Sequence, residues 1–130
     1  MSHAATASPT DALPVVDPQR LDCYRVALEF CTLAGRLLPR GHRELRDQLA
    51  RASLSIPLNV AESGGRRSPA DRAHFLTIAR GSTMECVAIV DCARSLGLVP
   101  VARAKEAGWL LVRIVQMLTK LIASMERRAT

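Results

Sequence analysis

Four stretches of the chain place apolar side chains three and four residues apart, the spacing that gives an α-helix one buried face. The first runs Leu21, Tyr24, Leu28, Cys31, Ala34, Leu38; the second Leu45, Leu49, Ala52, Ile56, Val60. The third runs Phe75, Ile78, Ser82, Cys86, Ile89, Ala93, Leu96. The fourth, Ala104, Ala107, Leu111, Ile114, Leu118, Leu121, Met125, alternates three and four apart for three heptads, like a coiled-coil seam. Stop and start signals separate them. Asp17-Pro18 and Ser68-Pro69 read as an N-cap followed by proline at the first helical position, and Asp71 falls where its charge favours the helix dipole. Pro39-Arg40-Gly41, Gly64-Gly65 and Gly97 read as helix ends. The pattern predicts helices over 18–38, 43–63, 69–96 and 101–126. No strand-period alternation interrupts them, and the short links fold them into an all-α, antiparallel up-down-up-down four-helix bundle over 17–127. Residues 1–16, rich in Ala, Ser, Thr and Pro without periodicity, read as a disordered N-terminal tail.

Helices 3 and 4 carry more apolar residues than one face needs. Leu98, Val99, Val101, Leu110, Val112 and Val115 lie off the stripes. The surplus predicts a second buried face and hence self-association.

Composition narrows the function. A chain of 130 residues holds one domain, and its aromatics, Tyr24, Phe30, Phe75 and Trp109, are only 3% of it. That excludes an aromatic platform for stacking single-stranded bases. The formal net charge is +6. Two of the twelve acids, Asp11 and Asp17, precede residue 20 and no base does, so residues 20–130 carry +8. All the bases except Lys105 and Lys120 are arginines, which pair bidentately with carboxylates and phosphates. A basic, arginine-rich body suits nucleic acid, although a solvated surface with internal pairs also accounts for it. Cys23, Cys31, Cys86 and Cys92 show no metal-binding spacing and read as buried thiols among apolar neighbours. With no secretory signal and no run of some 18 uninterrupted apolar residues, the expectation is a cytoplasmic protein with no membrane partner.

The most informative segment is 49–86, where polar residues stand inside helices. Helix 2 holds Ser53, Ser55, Asn59 and Glu62, and also Pro57, which removes a backbone hydrogen bond and is expected to kink it. Helix 3 holds Arg80, Gly81, Ser82 and Glu85. If the two helices form an antiparallel hairpin about Gly65-Arg66, facing residues have numbers summing to roughly 133–136. Ala52 and Ser55 then meet Gly81 and Ser82, small residues that allow close approach, and Arg51 meets Glu85 in an ion pair that fixes register. On this reading Arg51, Ser55, Asn59, Glu62, Arg80, Gly81, Ser82 and Glu85 organise the hairpin.

The run Arg51-Ala52-Ser53, Ser55-Ile56-Pro57, Asn59-Val60-Ala61-Glu62, Gly65-Arg66, Ser68, Asp71, Phe75-Leu76, Ile78-Ala79-Arg80-Gly81-Ser82 and Glu85 resembles the signature of a bacterial four-helix-bundle family. Its members are often encoded in intervening sequences of 23S ribosomal RNA genes, and it is related to accessory proteins of diversity-generating retroelements. The resemblance spans about residues 19–125. It implies a homo-oligomer, a pentameric ring in characterised relatives, with a basic surface; accessory relatives bind nucleic acid and a reverse transcriptase. Glu62-Ser63-Gly64 departs from the Glu-Gly that many members show.

No catalytic set emerges. His3, His42 and His74 lack partners in any catalytic or ligand pattern. Asp71-Arg72-Ala73-His74 has the spacing of one half of a bundle metal site but no second half, so neither a metal nor another cofactor is expected. The candidate anion-binding residues are Arg66, Arg67 and Arg72 beside the start of helix 3, with Arg40 and Arg43 at the first interhelical link. Pairing of Arg66 and Arg67 with Glu62 and Asp71 is the competing reading. In a ring, a modest patch is repeated and gains by multivalency. The sequence thus points to a non-enzymatic homo-oligomeric scaffold that binds RNA or DNA, with an unidentified protein as a further candidate partner. The alternative is a protein–protein interaction module with no nucleic-acid role.

Overall fold

A computed structural model describes residues 17–130, so the expected tail over 1–16 lies outside the described residues. Four helices follow in order: α1 (Pro18–Ala34), α2 (Arg43–Gly64), α3 (Pro69–Ser95) and α4 (Val101–Ala129). Each packs on its neighbours in sequence, and α1 closes the bundle against α4. The result is an all-α four-helix bundle with no strand among the described residues.

Local chemistry sets the ends. The Asp17 carboxylate accepts the Gln19 and Arg20 N–H groups at 3.0 and 3.3 Å, and the Ser68 hydroxyl accepts Asp71 N–H at 3.0 Å. Gly97 ends α3 with φ +72°, which lets Leu98 N–H reach Ala93 O at 2.9 Å and Gly97 N–H reach Arg94 O at 3.0 Å. Gly65 stays right-handed at φ −87°, so α2 ends without a left-handed residue. Helix α1 stops at Ala34, short of Leu38: Arg36 and Leu37 N–H groups turn back to Leu33 and Ala34 carbonyls, three residues earlier.

The core comprises Phe30 of α1, Leu49 and Ile56 of α2, Leu76 of α3, and Leu111, Ile114, Leu118 and Leu121 of α4, all essentially fully buried. All seven stripe positions of α4 are buried, and Leu110 joins them. The α1 stripe is displaced. Cys23, Val26, Ala27 and Phe30 face inward, while Leu28 is exposed and Leu21, Tyr24 and Cys31 are half-buried. In α3 the inward face is Ala73, Leu76, Ala79, Thr83, Cys86, Ile89, Val90 and Ala93, leaving Ile78 and Leu96 exposed. Among the described residues α4 alone is long and apolar enough to cross a membrane, and its stripe packs in the bundle core.

Pro57 shows how the core accommodates a missing donor. It has no N–H for the Ser53 carbonyl four residues back, and the Cys31 thiol of α1 donates to that carbonyl at 3.2 Å. Cys23 and Cys86 are fully buried, and burial pushes each thiol up to about 12. Cys92 is exposed, contrary to the expectation of four buried thiols, and no cysteine forms a disulfide.

Candidate nucleic-acid interface

The helix 2–3 hairpin forms, with the small residues in register: Ser55 Oγ lies 2.7 Å from Ser82 Oγ. Asn59 Nδ2 donates to Ser55 O and Oγ at 2.9 and 3.0 Å, completing a polar stitch between α2 and α3. Arg80 instead crosses to α4, its Nε donating to Thr119 Oγ1 at 3.0 Å. Two expectations fail. Arg51 and Glu85 are both exposed and form no ion pair, because they lie on the outer side of the hairpin even though the register holds. Gly81 is exposed, and nothing lies within 4 Å of the point a β-carbon would occupy, so it makes no close helix approach within the chain.

The candidate arginines fall into two groups at opposite ends of the bundle. Arg66, Arg67 and Arg72 surround the α2–α3 turn, while Arg40 and Arg43 lie at the α1–α2 link. The fold therefore does not gather all five into one site. Within the first group the roles diverge. Arg66 Nη2 pairs with Glu62 Oε2 at 2.8 Å, its guanidinium lies 4.5 Å from the Phe75 ring centroid, and its carbonyl accepts Arg72 Nε at 2.7 Å. It clasps the turn, as the competing reading held for the Glu62 partner. Arg67 is exposed and its side chain makes no hydrogen bond or ion pair among the described residues.

At the other end, Arg40, Arg43 and Arg46 border an open groove of about 620 Å³ between α1 and α2, with Asp47 the one acid among the described residues that line it. Arg46 also stands close to Arg40 and Arg43 in the sequence. Its place follows from helical spacing, since Arg43 and Arg46 are three residues apart on α2. Clusters of this kind attract phosphate without reading bases. Among the described residues no three His, Cys, Asp or Glu side chains stand together to hold a metal ion.

The apolar surplus divides on folding. Val99 and Leu110 belong to the core, and Leu98 and Val115 are half-buried. Val101, Trp109 and Val112 of α4 remain exposed, Trp109 at 71%. Leu54 and Leu58 of α2 and Ile78 and Met84 of α3 are exposed as well.

Comparison with known proteins agrees with this architecture. A family model described as 23S rRNA-intervening sequence protein matches residues 19–120. A solved structure from Bacteroides thetaiotaomicron, a protein of unknown function from the S23 ribosomal protein family, superposes with a TM-score of 0.74 at 19% identity, covering 81% of this chain and 98% of that one. No curated protein matches the chain.

Proposed function

We propose that this chain, which belongs to the 23S rRNA-intervening sequence protein family, is a non-enzymatic homo-oligomeric scaffold whose basic surface binds RNA or DNA without sequence preference. The observation that carries the reading is the placement of exposed arginines at both ends of the bundle. Arg67 stands exposed beside the α2–α3 turn with no partner among the described residues, and Arg40 and Arg43 line an open groove at the far end. With so few aromatics, recognition runs through the phosphate backbone.

Self-association is supported by Trp109, Val112 and Val101, exposed along α4. A pentamer is what the family resemblance implies. In a closed ring each chain repeats its basic ends, and weak contacts combine. The cytoplasm is the proposed setting.

The test is a titration of a fluorescent structured RNA and a duplex DNA at roughly 50 mM salt, where phosphate contacts are strong. Binding to both, weakened when Arg40, Arg43 and Arg67 are together changed to Gln, supports the reading. Failure to bind either overturns it. Capture of a defined protein through the Trp109 face, with no nucleic acid, favours the interaction-module alternative.

A further inference from the structure

Helices α3 and α4 each bury one face in the core and leave the opposite face exposed, and the two exposed faces carry opposite charge. On α4 the exposed side presents Lys105, Trp109, Val112, Arg113 and Lys120. No acid lies among them, because Glu106 turns with Arg103 into the groove between α1 and α4. On α3 the exposed side presents Ile78, Met84, Glu85, Ala88 and Asp91. The bases of α3 are placed elsewhere. Arg72 is held by the Arg66 carbonyl at the α2–α3 turn, Arg80 donates to Thr119 of α4, and Arg94 stands in the last turn, beyond Asp91. Among the described residues, none of Glu85, Asp91, Lys105, Arg113 and Lys120 forms an ion pair.

The two faces also match in length. From the helical rise, Ile78 to Asp91 spans about 20 Å and Lys105 to Lys120 about 22 Å. Glu85 and Asp91 stand about 9 Å apart along α3, and Arg113 and Lys120 about 10 Å apart along α4. Neither face suits itself as a partner. A contact of α4 with α4 sets bases against bases, and one of α3 with α3 sets acids against acids, and like charges at a contact withdrawn from water repel. Only the unlike faces bring the exposed apolar side chains together with bases beside acids.

We propose that the outer face of α4 in one copy docks on the outer face of α3 in a second copy of this chain. Trp109 and Val112 pack on Ile78 and Met84, and Arg113 and Lys120 pair with Glu85 and Asp91. The exposed tryptophan is the anchor, and the flanking charges set register and exclude the wrong face. The inference rests on the self-association reading and adds which surfaces meet. The contact is heterologous: each chain offers both faces, so it repeats from copy to copy until a ring closes. It runs along the side of the bundle and leaves the arginines at both ends uncovered.

The test is charge reversal in the full chain, read as mass by light scattering. One variant carries Glu85→Lys and Asp91→Lys, the other Arg113→Glu and Lys120→Glu. All four side chains are exposed, so the core is untouched. Each variant alone confronts like charge with like and is expected to fall to the 14.1 kDa of one chain. Mixed in equal amounts, the two regain a higher mass, because every α4 face then finds an α3 face of opposite sign. Recovery on mixing also excludes misfolding as the cause of the loss. The proposal is overturned if either variant alone keeps the mass of the unaltered protein, or if the mixture stays monomeric. Loss of RNA binding in the α4 variant with its mass unchanged likewise overturns it and assigns that face to nucleic acid. An unaltered chain that is itself monomeric removes the self-association reading, and this contact with it.

Discussion

Gly97 and Gly81 are the same residue under opposite constraints. Gly97 sits at φ +72°, a region that costs a side-chain-bearing residue about 1–2 kcal/mol. Gly81 has helical geometry and open space around it, and mid-helix glycine costs about 0.5–1 kcal/mol relative to alanine. Chemical denaturation of the two alanine variants therefore gives opposite signs: Gly97→Ala loses about 1 kcal/mol or more, and Gly81→Ala gains up to about 1. The sequence shows that each glycine is unusual in its context. It does not show the direction in which position 81 faces, which decides its role. The thiols follow burial in the same way. Cys23 and Cys86 are raised from 9.0 to about 12 in the fold, so above pH 9 the unfolded chain releases protons that the folded one retains. Stability contributed by the two neutral thiols is complete below pH 9 and falls as pH rises toward 12, by at most about 1.4 kcal/mol per pH unit for each. Urea melts from about pH 8 to about pH 11 measure this, and a thiol reagent near the lower end of that range is expected to reach exposed Cys92 long before Cys23 or Cys86.

At the scale of elements, caps and periods are local and therefore legible. Ser68 and Asp17 act as N-caps because the bonds they make close within three residues. In α4 the stripe is unambiguous, since the opposite side carries Lys105, Arg113, Gln116 and Lys120, all exposed. In α1 two apolar sets compete. Leu21, Tyr24 and Leu28 make one stripe, Cys23, Val26, Ala27 and Phe30 another, and only packing against α2 and α4 selects the second. Phe30→Ala is accordingly expected to cost about 3–5 kcal/mol, and Leu28→Ala less than about 1. Comparable losses in thermal melts of the two variants would contradict the face observed for α1. The α2–α3 hairpin has the same character. Small residues at matching numbers revealed its register, but the Arg51–Glu85 pair failed because register fixes height along a helix and not rotation about it.

For the molecule as a whole, the up-down-up-down path brings sequence-distant bases together at its two ends. Arg66, Arg67 and Arg72 share one end with Arg20 and Arg128, from the first and last helices; Arg40, Arg43 and Arg46 share the other. The local clusters were visible as neighbours in sequence. The approach of Arg20, Arg72 and Arg128 was not, because it requires three helices to meet. Light scattering is expected to give a multiple of the 14.1 kDa chain, with Trp109→Ser shifting it toward the monomer through loss of the exposed α4 contact. The claim that phosphate contacts at these ends bind nucleic acid is tested most directly by the salt dependence of binding. Each phosphate contact contributes about −0.7 to −0.9 to the slope of log K against log salt, so Arg40, Arg43 and Arg67 of a single chain predict roughly −2 to −3, and an oligomer a steeper value. A slope near zero, or no binding even at roughly 50 mM salt, contradicts it.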